Sequence, residues 1–349
     1  MNQNTELLCI GNPLVDVFIE IDSSLARKYG ILDTVQHIDR ETAEKILREP
    51  SIDFSKAVKS SGGGAANVAK IAAMLGMSAA FCGCVGQDEL AETFTKEITD
   101  AGVSTILAKS NEKTGLCFAC SVEGGTRFAA SPGAALELNE SHIGEELIRS
   151  AEVVVLDGFI LDRRPLVQHI LLKASRQGIP VALDAASVFQ VKRKAEEILT
   201  YSRNFPLFVF MNADEAITFF NTIRRSPDDE TNLTEKEKEM IILRDVCPML
   251  KIITDGEIYP IMVLKLGGRG AVVVAGGNVY REETFTVVPR NTIGAGDAFC
   301  AAFIAAWIRE KSISECIVMG NKVAREILEV PGTHIKSGKL KSFAKSLQK

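Results

Sequence analysis

The sequence lacks the features that direct a chain to secretion, to a membrane or to nucleic acid. Its first residues, Met-Asn-Gln-Asn-Thr-Glu, contain no basic segment followed by an apolar run, so they indicate no signal peptide. The longest nearly apolar stretch, Ala298–Ile308, is too short to cross a bilayer. The formal net charge is -5 and no basic tract occurs, which argues against nucleic acid or an anionic membrane as the main partner. We therefore expect a cytoplasmic protein that acts on a small molecule.

Cysteine and histidine are both scarce. Eight cysteines in 349 residues do not make a dense disulfide framework, and four histidines offer little to complete a metal site. Two close pairs, Cys82 with Cys84 and Cys117 with Cys120, resemble metal or redox pairs in spacing alone. The second pair lies in a predicted strand, where residues three apart point to opposite faces and cannot share a ligand. We expect all eight to be small buried thiols.

Short apolar segments alternate with helical patterns along most of the chain, which predicts βαβ units around a largely parallel sheet covered on both faces. The predicted strands are Leu7–Ile10, Val153–Asp157, Pro180–Asp184, Leu207–Met211, Ile261–Leu266 and Ala271–Val274. The predicted helices are Ala65–Leu75, Glu89–Ala101, Pro165–Gln177, Ala213–Arg224 and Glu235–Val246. The fold class is therefore α/β.

Two stretches depart from this rhythm. Val15–Ile21 and Thr114–Phe128 alternate in character and read as half-exposed antiparallel strands. Although they are far apart in sequence, they can join in one small sheet beside the main domain. The sequence thus predicts two sheets of unequal size.

The segment from Asn291 to Asp297 carries the strongest chemical signal. Gly294 and Gly296 allow a tight turn just before a long apolar helix, and the free amides at a helix start form an anion site. An Asp at this place can be a simple helix cap. It can instead be a base that takes the proton of an attacking hydroxyl beside a phosphoryl group.

Two further segments suit the binding of a polyhydroxylated ligand. Ser61–Gly76 places three glycines before an Ala-rich helix that carries Asn67 in its first turn. Cys9–Val17 ends a strand at Asn12 and then presents Asp16, and a pair of this kind can grip sugar hydroxyls. Close helix packing and turn formation are the alternatives for these two segments.

Two more segments are compatible with a nucleotide and its metal. Asn212 ends a strand and Glu215 lies in the first turn of the next helix, which suits hydrated magnesium and equally suits a capping box. Gly267 and Gly270 lie in a turn between two strands, where either a hairpin or a nucleotide accounts for them.

Taken together and in this order, these segments resemble the ribokinase-like (PfkB) family of sugar and nucleoside kinases. The resemblance runs from Asn12 to about Gly332. It implies a Rossmann-like, mostly parallel sheet sandwiched by helices, in a single kinase domain over residues 1–349. It also implies a small β-sheet lid formed by about residues 13–60 and 111–130.

The resemblance implies three groups of site residues and the cosubstrate ATP with Mg²⁺. For phosphoryl transfer it implies Asp297 as catalytic base, with Gly294, Ala295 and Gly296 as the anion hole. For the acceptor it implies Asn12, Leu14, Asp16, Gly63, Gly64, Asn67, Phe118 and Phe159. For the nucleotide it implies Asn212, Glu215, Lys265, Gly267, Gly270 and Asn321, with Glu215 contacting Mg²⁺ through water.

The implied activity is ATP-dependent phosphorylation of the hydroxymethyl group of a sugar or ribonucleoside. Gly11–Asp16 is similar to the adenosine-kinase branch, whereas Gly62–Asn67 is more similar to bacterial sugar kinases, so both acceptor classes stay open. Asn291 stands where many members have Asp near a monovalent-cation site, which leaves potassium activation open. Lys265 stands where Thr is common. A non-catalytic sensor with the same fold is the alternative function, and both a monomer and a homodimer fit the sequence.

Overall fold

The computed structural model contains two β-sheets of different size. It describes residues 5–32, 34–122, 125–226, 233–284, 287, 293–329, 340 and 343. Numbered along the chain, the strands are β1 (Thr5–Ile10), β2 (Leu14–Glu20), β3 (Val35–His37), β4 (Val58–Gly62), β5 (Ala79–Val85), β6 (Ser104–Lys109), β7 (Gly115–Val122), β8 (Gly125–Ser131), β9 (Ala151–Asp157), β10 (Val181–Asp184), β11 (Leu207–Asn212), β12 (Ile261–Lys265), β13 (Ala271–Ala275) and β14 (Asn278–Glu282).

The helices connect and cover these strands. They are α1 (Ser23–Lys28), α2 (Arg40–Leu47), α3 (Gly64–Met74), α4 (Glu89–Asp100), α5 (Glu145–Arg149), α6 (Arg164–Arg176), α7 (Val188–Asn204), α8 (Ala213–Arg224), α9 (Glu235–Ile241), α10 (Cys247–Thr254), α11 (Ala295–Ile308) and α12 (Ile313–Leu328). A π-helical turn, Ile242–Val246, joins α9 to α10, so the single helix predicted over 235–246 is part of a longer helical segment.

Strands of the large sheet follow the order β14-β13-β12-β11-β10-β9-β1-β5-β6 in the described residues. Those from β12 to β6 run parallel, and β13 and β14 add an antiparallel edge. All six predicted strands belong to this sheet. The chain order reverses between β1 and β9, and a ligand crevice lies at the carboxyl edge of such a switch point.

Apolar side chains fill both faces of the large sheet. One core joins the sheet to α3, α4, α11 and α12, and the other joins it to the helices from α5 to α8 and to α10. Central strands such as β5 are buried along their whole length because helices cover both faces. The predicted α/β sandwich is confirmed.

The small sheet has the order β3-β8-β7-β2-β4 and carries α1 and α2 on one face. The two stretches that depart from the βα rhythm do meet in this sheet, as predicted. Each has an antiparallel partner, as expected, because β2 pairs with β4 and β7 pairs with β8, whereas β2 and β7 run parallel to each other. Both strands are also mostly buried, since the helices cover one face and the large domain approaches the other.

All eight cysteines are buried free thiols, which confirms the interpretation made from their number and spacing. None of the helices in the described part of the chain combines the length and the apolar character needed to cross a membrane.

Candidate active site

The N-terminus of α11 forms a turn whose amides have no acceptor inside the helix. Gly294 precedes the helix with φ +80°, a left-handed conformation that favours glycine. No side chain of the described residues caps this end. The first amides, those of Ala295, Gly296 and Asp297, therefore point outward with the positive end of the helix dipole behind them. Asn291, expected near a monovalent-cation site, lies outside the described residues.

Asp297 lies in the first turn of α11 but does not cap it. Its Oδ2 accepts a hydrogen bond of 2.9 Å from the side-chain amide of Asn67 on α3. Burial raises the pKa of Asp297 to about 7, and the nearby carboxylate of Asp184 adds to the shift. A carboxyl group with this pKa, held from one side only, is suited to accept a proton near neutral pH.

The turn between β4 and α3 brings glycines against the site. Gly63 has φ +96°, and a β-carbon there would lie 2.2 Å from the carbonyl oxygen of Asn12. A β-carbon on Gly64 would lie 3.7 Å from Oδ1 of Asp297. The glycines therefore allow β1, α3 and Asp297 to approach one another closely, and Asn67 follows on the first turn of α3.

Asp16 faces this turn from β2 of the small sheet. It is 7% exposed, and a β-carbon on Gly62 would lie 2.2 Å from its Oδ2. Burial raises the pKa of Asp16 to about 7, against the lowering effect of Lys70 and of a hydrogen bond from the Cys117 thiol. The carboxylate thus lies at the interface between the small sheet and the large domain, where it can meet a ligand hydroxyl.

Lys70 of α3 lies among the acidic groups on this side. Its ammonium donates to the backbone and hydroxyl oxygens of Ser61. Burial lowers the pKa of Lys70, whereas the carboxylates of Asp16, Glu97 and Asp297 oppose that shift. The lysine offsets part of the negative charge of the site.

Asn12 is fixed by Asp157, at the end of β9, and by Arg163, on the turn that follows. Its Oδ1 accepts a 2.5 Å hydrogen bond from Nη2 of Arg163, and its backbone amide donates to Asp157 at 3.4 Å. Arg163 also donates to the carbonyl of Ala135. Because the Asn12 oxygen is engaged, its amide nitrogen remains as the donor for a ligand.

A second charged group lies at the carboxyl ends of β10 and β12. Nζ of Lys265 is 2.6 Å from Oδ2 of Asp184. A β-carbon on Gly296 would lie 3.3 Å from the same ammonium, so Lys265 reaches the turn at the start of α11. Although burial alone would lower the pKa of Lys265, the carboxylates of Asp184 and Glu215 hold it above its ordinary value.

Asn212 and Glu215 form a capping box at the start of α8. The Glu215 carboxylate accepts from the backbone and side-chain amides of Asn212 at 2.8 and 2.7 Å, and Asn212 Oδ1 accepts from the Glu215 amide at 2.9 Å. Burial raises the pKa of Glu215 to about 7, with a further contribution from Asp184. Both interpretations of this pair therefore persist, since the cap is present and the buried carboxyl lies beside Asp184 and Lys265.

The other residues assigned to the nucleotide lie at the hairpin between β12 and β13 and on α12. Gly270 has φ +87°, and a β-carbon there would lie 2.1 Å from the carbonyl oxygen of Glu282, so the hairpin itself requires this glycine. Gly267 begins the turn with φ +56°. Asn321 is 8% exposed and donates to the carbonyl of Glu282 at 3.4 Å.

The aromatic residues expected around the acceptor divide between two places. Phe159 and Leu14 lie at the crevice, on the turn after β9 and at the start of β2. Phe118 does not join them. The register pairs Asp16 with Cys117 and Val17 with Phe118, and Phe118 is fully buried in the core under α1 and α2, on the opposite face of the small sheet.

Several residues of the site were not predicted. Asp157 and Asp184 both end apolar strands, and the rule that ligands bind at the carboxyl edge would have found them. Arg163 and Lys70 have no comparable signal, because only the folded chain brings them to Asn12 and Asp16. Phe128 on β8 pairs with Ala119 on β7 and so shares the face of Asp16, a placement that depends on strand register.

A sequence model described as pfkB family carbohydrate kinase matches residues 31–339 of this chain. Among curated proteins, the adenosine kinase of Schizophyllum commune is 25% identical over 349 residues, which is 95% of this chain and 97% of that protein. The 5-dehydro-2-deoxygluconokinase of Bacillus subtilis is 24% identical over 293 residues, 79% of this chain and 82% of that protein.

The fold is also similar to that of a solved adenosine kinase. The crystal structure of adenosine kinase from Sinorhizobium meliloti superposes with a TM-score of 0.81 at 24% identity, covering 98% of this chain and 99% of that one. At this identity the likeness shows the fold, including the large sheet and the second small sheet. The matches to both a nucleoside kinase and a sugar-acid kinase correspond to the two acceptor classes that the sequence leaves open.

Proposed function

This chain belongs to the pfkB family of carbohydrate kinases, and from that membership we propose a mechanism in which Asp297 activates a hydroxyl of the acceptor. The chain is an ATP-dependent kinase that phosphorylates a sugar or a nucleoside. One observation carries the mechanism. The Asp297 carboxyl is held by Asn67 directly beside the free amides of the anion-binding turn, so base and phosphate site coincide.

The acceptor lies between the two sheets in this proposal. Asp16 accepts from its ring hydroxyls and Asn67 and Asn12 donate to them, while Gly63 and Gly64 leave room for the ring. A hydroxymethyl group held in this way points to Asp297. Positioning of this kind accounts for a large part of the rate of phosphoryl transfer.

The transfer step needs one proton acceptor and one charge-stabilising turn. Asp297 takes the hydroxyl proton as the oxygen bonds to the γ-phosphorus, and the bond from that phosphorus to the β–γ bridging oxygen breaks to release ADP. The amides of Ala295 and Gly296 donate to the transferring phosphoryl group, a contribution of about 3 kcal/mol per donor in comparable sites. Lys265 adds a fixed positive charge 3.3 Å from the β-carbon position of Gly296.

The ATP side of the crevice extends from Lys265 towards the hairpin and α12, where Gly267, Gly270 and Asn321 border the proposed nucleotide site. Kinases of this family use ATP, typically with Mg²⁺, which neutralises phosphate charge when bound. The donors present fit that ion, because Asp184 and Glu215 offer carboxylate oxygens beside the phosphate turn. Both oxygens of Glu215 already accept from Asn212, so Glu215 would hold the ion through water.

We further propose that the small sheet is a lid and that residues 1–349 form one kinase domain. The lid contributes Asp16 to the acceptor site, so its approach to the large domain completes the site and excludes water from the phosphoryl group.

A ribonucleoside is the acceptor that we propose, with a free sugar as the second candidate. Leu14, Phe128 and Phe159 are apolar side chains at the crevice beyond Asp16, and a base would cover them whereas a free sugar would not. The match to a sugar-acid kinase keeps the second candidate in the test. The comparisons give no support to a non-catalytic sensor.

The first experiment measures ADP release with ATP and Mg²⁺ against a panel of ribonucleosides and free sugars, for the native chain, Asp297→Asn and Asp297→Ala. We expect one acceptor class to stimulate release, and we expect both substitutions to lower turnover by about 10²- to 10⁴-fold because the base is lost. ATP binding, measured by calorimetry, should persist because the amides of the turn remain.

Asp100→Asn is the matched control, since Asp100 is exposed at the end of α4, away from the site. Its turnover should equal that of the native chain. Unchanged turnover in Asp297→Asn would remove Asp297 from the role of base, whatever the acceptor.

A further inference from the structure

A row of side chains crosses the small sheet at the level of Asp16. The strand registers pair Asp16 with Cys117, Cys117 with Ala130, and Ala130 with His37. These residues face the large domain, whereas their neighbours Val17, Phe118, Ala129 and Ile38 pack on the side of α1 and α2. His37 therefore lies three strand spacings from Asp16, about 14 Å along the sheet.

The two positions between Asp16 and His37 carry small side chains. Because Cys117 and Ala130 are small, they leave space above the sheet between Asp16 and His37. Both residues are buried. The row is thus a slot with a carboxylate at one end and an imidazole at the other.

The large domain closes the slot at the imidazole end. The rings of His37 and Phe159 lie 5.3 Å apart, centre to centre, with a tilt of 39°. Phe159 is held in its turn by the hydrogen bond from its amide to Asp157 Oδ1, at 3.1 Å. Asp157 also accepts from the amide of Asn12. The same carboxylate therefore holds both Phe159, at the imidazole end of the slot, and Asn12, near the end where hydroxyls are proposed to bind.

Neither ring nitrogen of His37 has a hydrogen-bond partner among the described residues. The charged groups that influence it are Asp162, on the turn that carries Phe159, and Arg193 on α7, which pair with each other at 3.2 Å. Partial burial lowers the pKa of His37, opposed by Asp162, so the ring is mainly neutral near pH 7. A neutral imidazole offers one donor and one acceptor.

We propose that His37 is a specificity-determining residue that contacts the base of a ribonucleoside whose ribose hydroxyls bind Asp16. Phe159 lies against the base beside it, and a free sugar held by Asp16 is too short to reach the pair. The inference rests on the proposed kinase function and deepens it, because it assigns the acceptor class to one side chain.

The face of the small sheet that carries Asp16 offers a second position for the base. A cavity of about 580 Å³ lies farther along β2 from Asp16, lined by residues that include Phe18, Ala119 and Ile293. A base placed there would contact Phe18 and leave His37 free.

The experiment measures the Kd of adenosine and of ribose by calorimetry, and the KM of each where turnover occurs, for the native chain and four variants. We expect His37→Leu to raise the Kd for adenosine about tenfold, the effect of losing one hydrogen bond, and to leave that for ribose unchanged. His37→Asn, which keeps a hydrogen-bonding edge, should recover part of the affinity.

Gln36→Leu is the matched control on the same strand, because its side chain turns to the helix side and accepts from the Leu32 amide. It should leave the adenosine Kd unchanged. Binding measurements separate the role of His37 from the proposed kinase function, because a Kd can be measured even if no acceptor is phosphorylated. Three results would overturn the role of His37: an unchanged adenosine Kd in His37→Leu, an equal loss for ribose, or a loss in Phe18→Ala instead.

Discussion

Carboxyl groups crowd the carboxyl edge of the large sheet, and each makes ionisation of the others more costly. Burial raises the pKa of Asp16 and of Asp297 to about 7, and it raises the pKa of Asp157 as well. The free amides of α11 and the ammonium of Lys265 only partly offset this charge. A site that holds several carboxyl groups with raised pKa values therefore loses some stability near neutral pH, where these groups ionise.

Asp297→Asn should stabilise the protein above neutral pH. The folded-state pKa of Asp297, about 7, exceeds the unfolded value near 3.8, so the folded state holds more protons between these values and stability falls as pH rises through them. Asparagine removes that loss. A fully buried group would gain about 4 kcal/mol, and solvent access to this half-buried site reduces the expectation to about 1–2 kcal/mol.

Urea unfolding at about pH 4 and about pH 8 checks this prediction. The free energies of unfolding of Asp297→Asn and the native chain should nearly agree near pH 4, where the aspartate is protonated in the folded state and only about half ionised in the unfolded state, and diverge near pH 8. A constant difference across this range would mean that the pKa of Asp297 is not raised in the folded protein.

Single residues show where sequence reasoning succeeds and where it ends. Asp297 and Asn67 lie in glycine-rich segments whose local pattern signals a ligand, and the structure brings them within 2.9 Å. Arg163 lies 151 residues from the Asn12 side chain that it fixes, so nothing local marks it. Long-range side-chain contacts of this kind depend on how the strands and turns meet in space, which no local pattern contains.

One face of the small sheet packs against α1 and α2, and the other carries Asp16. The sequence of each strand does not indicate which residues belong to which face. Phe118 on β7 and Phe128 on β8 are both aromatic residues in strands that alternate in character. Register decides their roles: Phe118 is fully buried under α1 and α2, and Phe128 shares the face of Asp16. A shift of one residue would exchange them, which is why the sequence alone favoured Phe118 for the acceptor.

Alanine substitutions at these two phenylalanines should separate stability from acceptor binding. Phe118→Ala leaves a cavity in the core of the small sheet and should lower the free energy of unfolding by about 3–5 kcal/mol. Phe128→Ala, at a half-buried position, should lower it by about 1 kcal/mol and raise the KM for a nucleoside acceptor. Urea unfolding and acceptor kinetics on the same preparations measure both effects.

The reverse pattern would place the acceptor on the other side of the small sheet. If Phe118→Ala raised the KM at unchanged stability, the strand register of β2 and β7 would have to differ from that described here.

The chain crosses between the small sheet and the large domain along one side of the small sheet. Within the described residues, the chain passes between the small sheet and the large domain at Leu14, Gly62, Gly115 and Ser131, and the registers place these residues side by side. By contrast, β3 lies at the far edge and touches the large domain through His37 and Phe159. We therefore expect a ligand that contacts Asp16, His37 and Phe159 to hold β3 against the large domain, at the edge where the described part of the chain itself makes no crossing.

Hydrogen exchange can detect whether a ligand holds β3 in place. The amide of Ile38 donates to the carbonyl of Ala130 at 2.9 Å, so its exchange reports how often β3 leaves β8. Adenosine at about ten times its Kd should slow this exchange about tenfold, because only the closed form binds it. Ribose at the same relative concentration should protect the peptides around Gly62 and Gly115 but not that of Ile38. Equal protection of Ile38 by both ligands would mean that closure of the sheet depends on the hydroxyls at Asp16 alone, and the base would then have no part in holding the far edge.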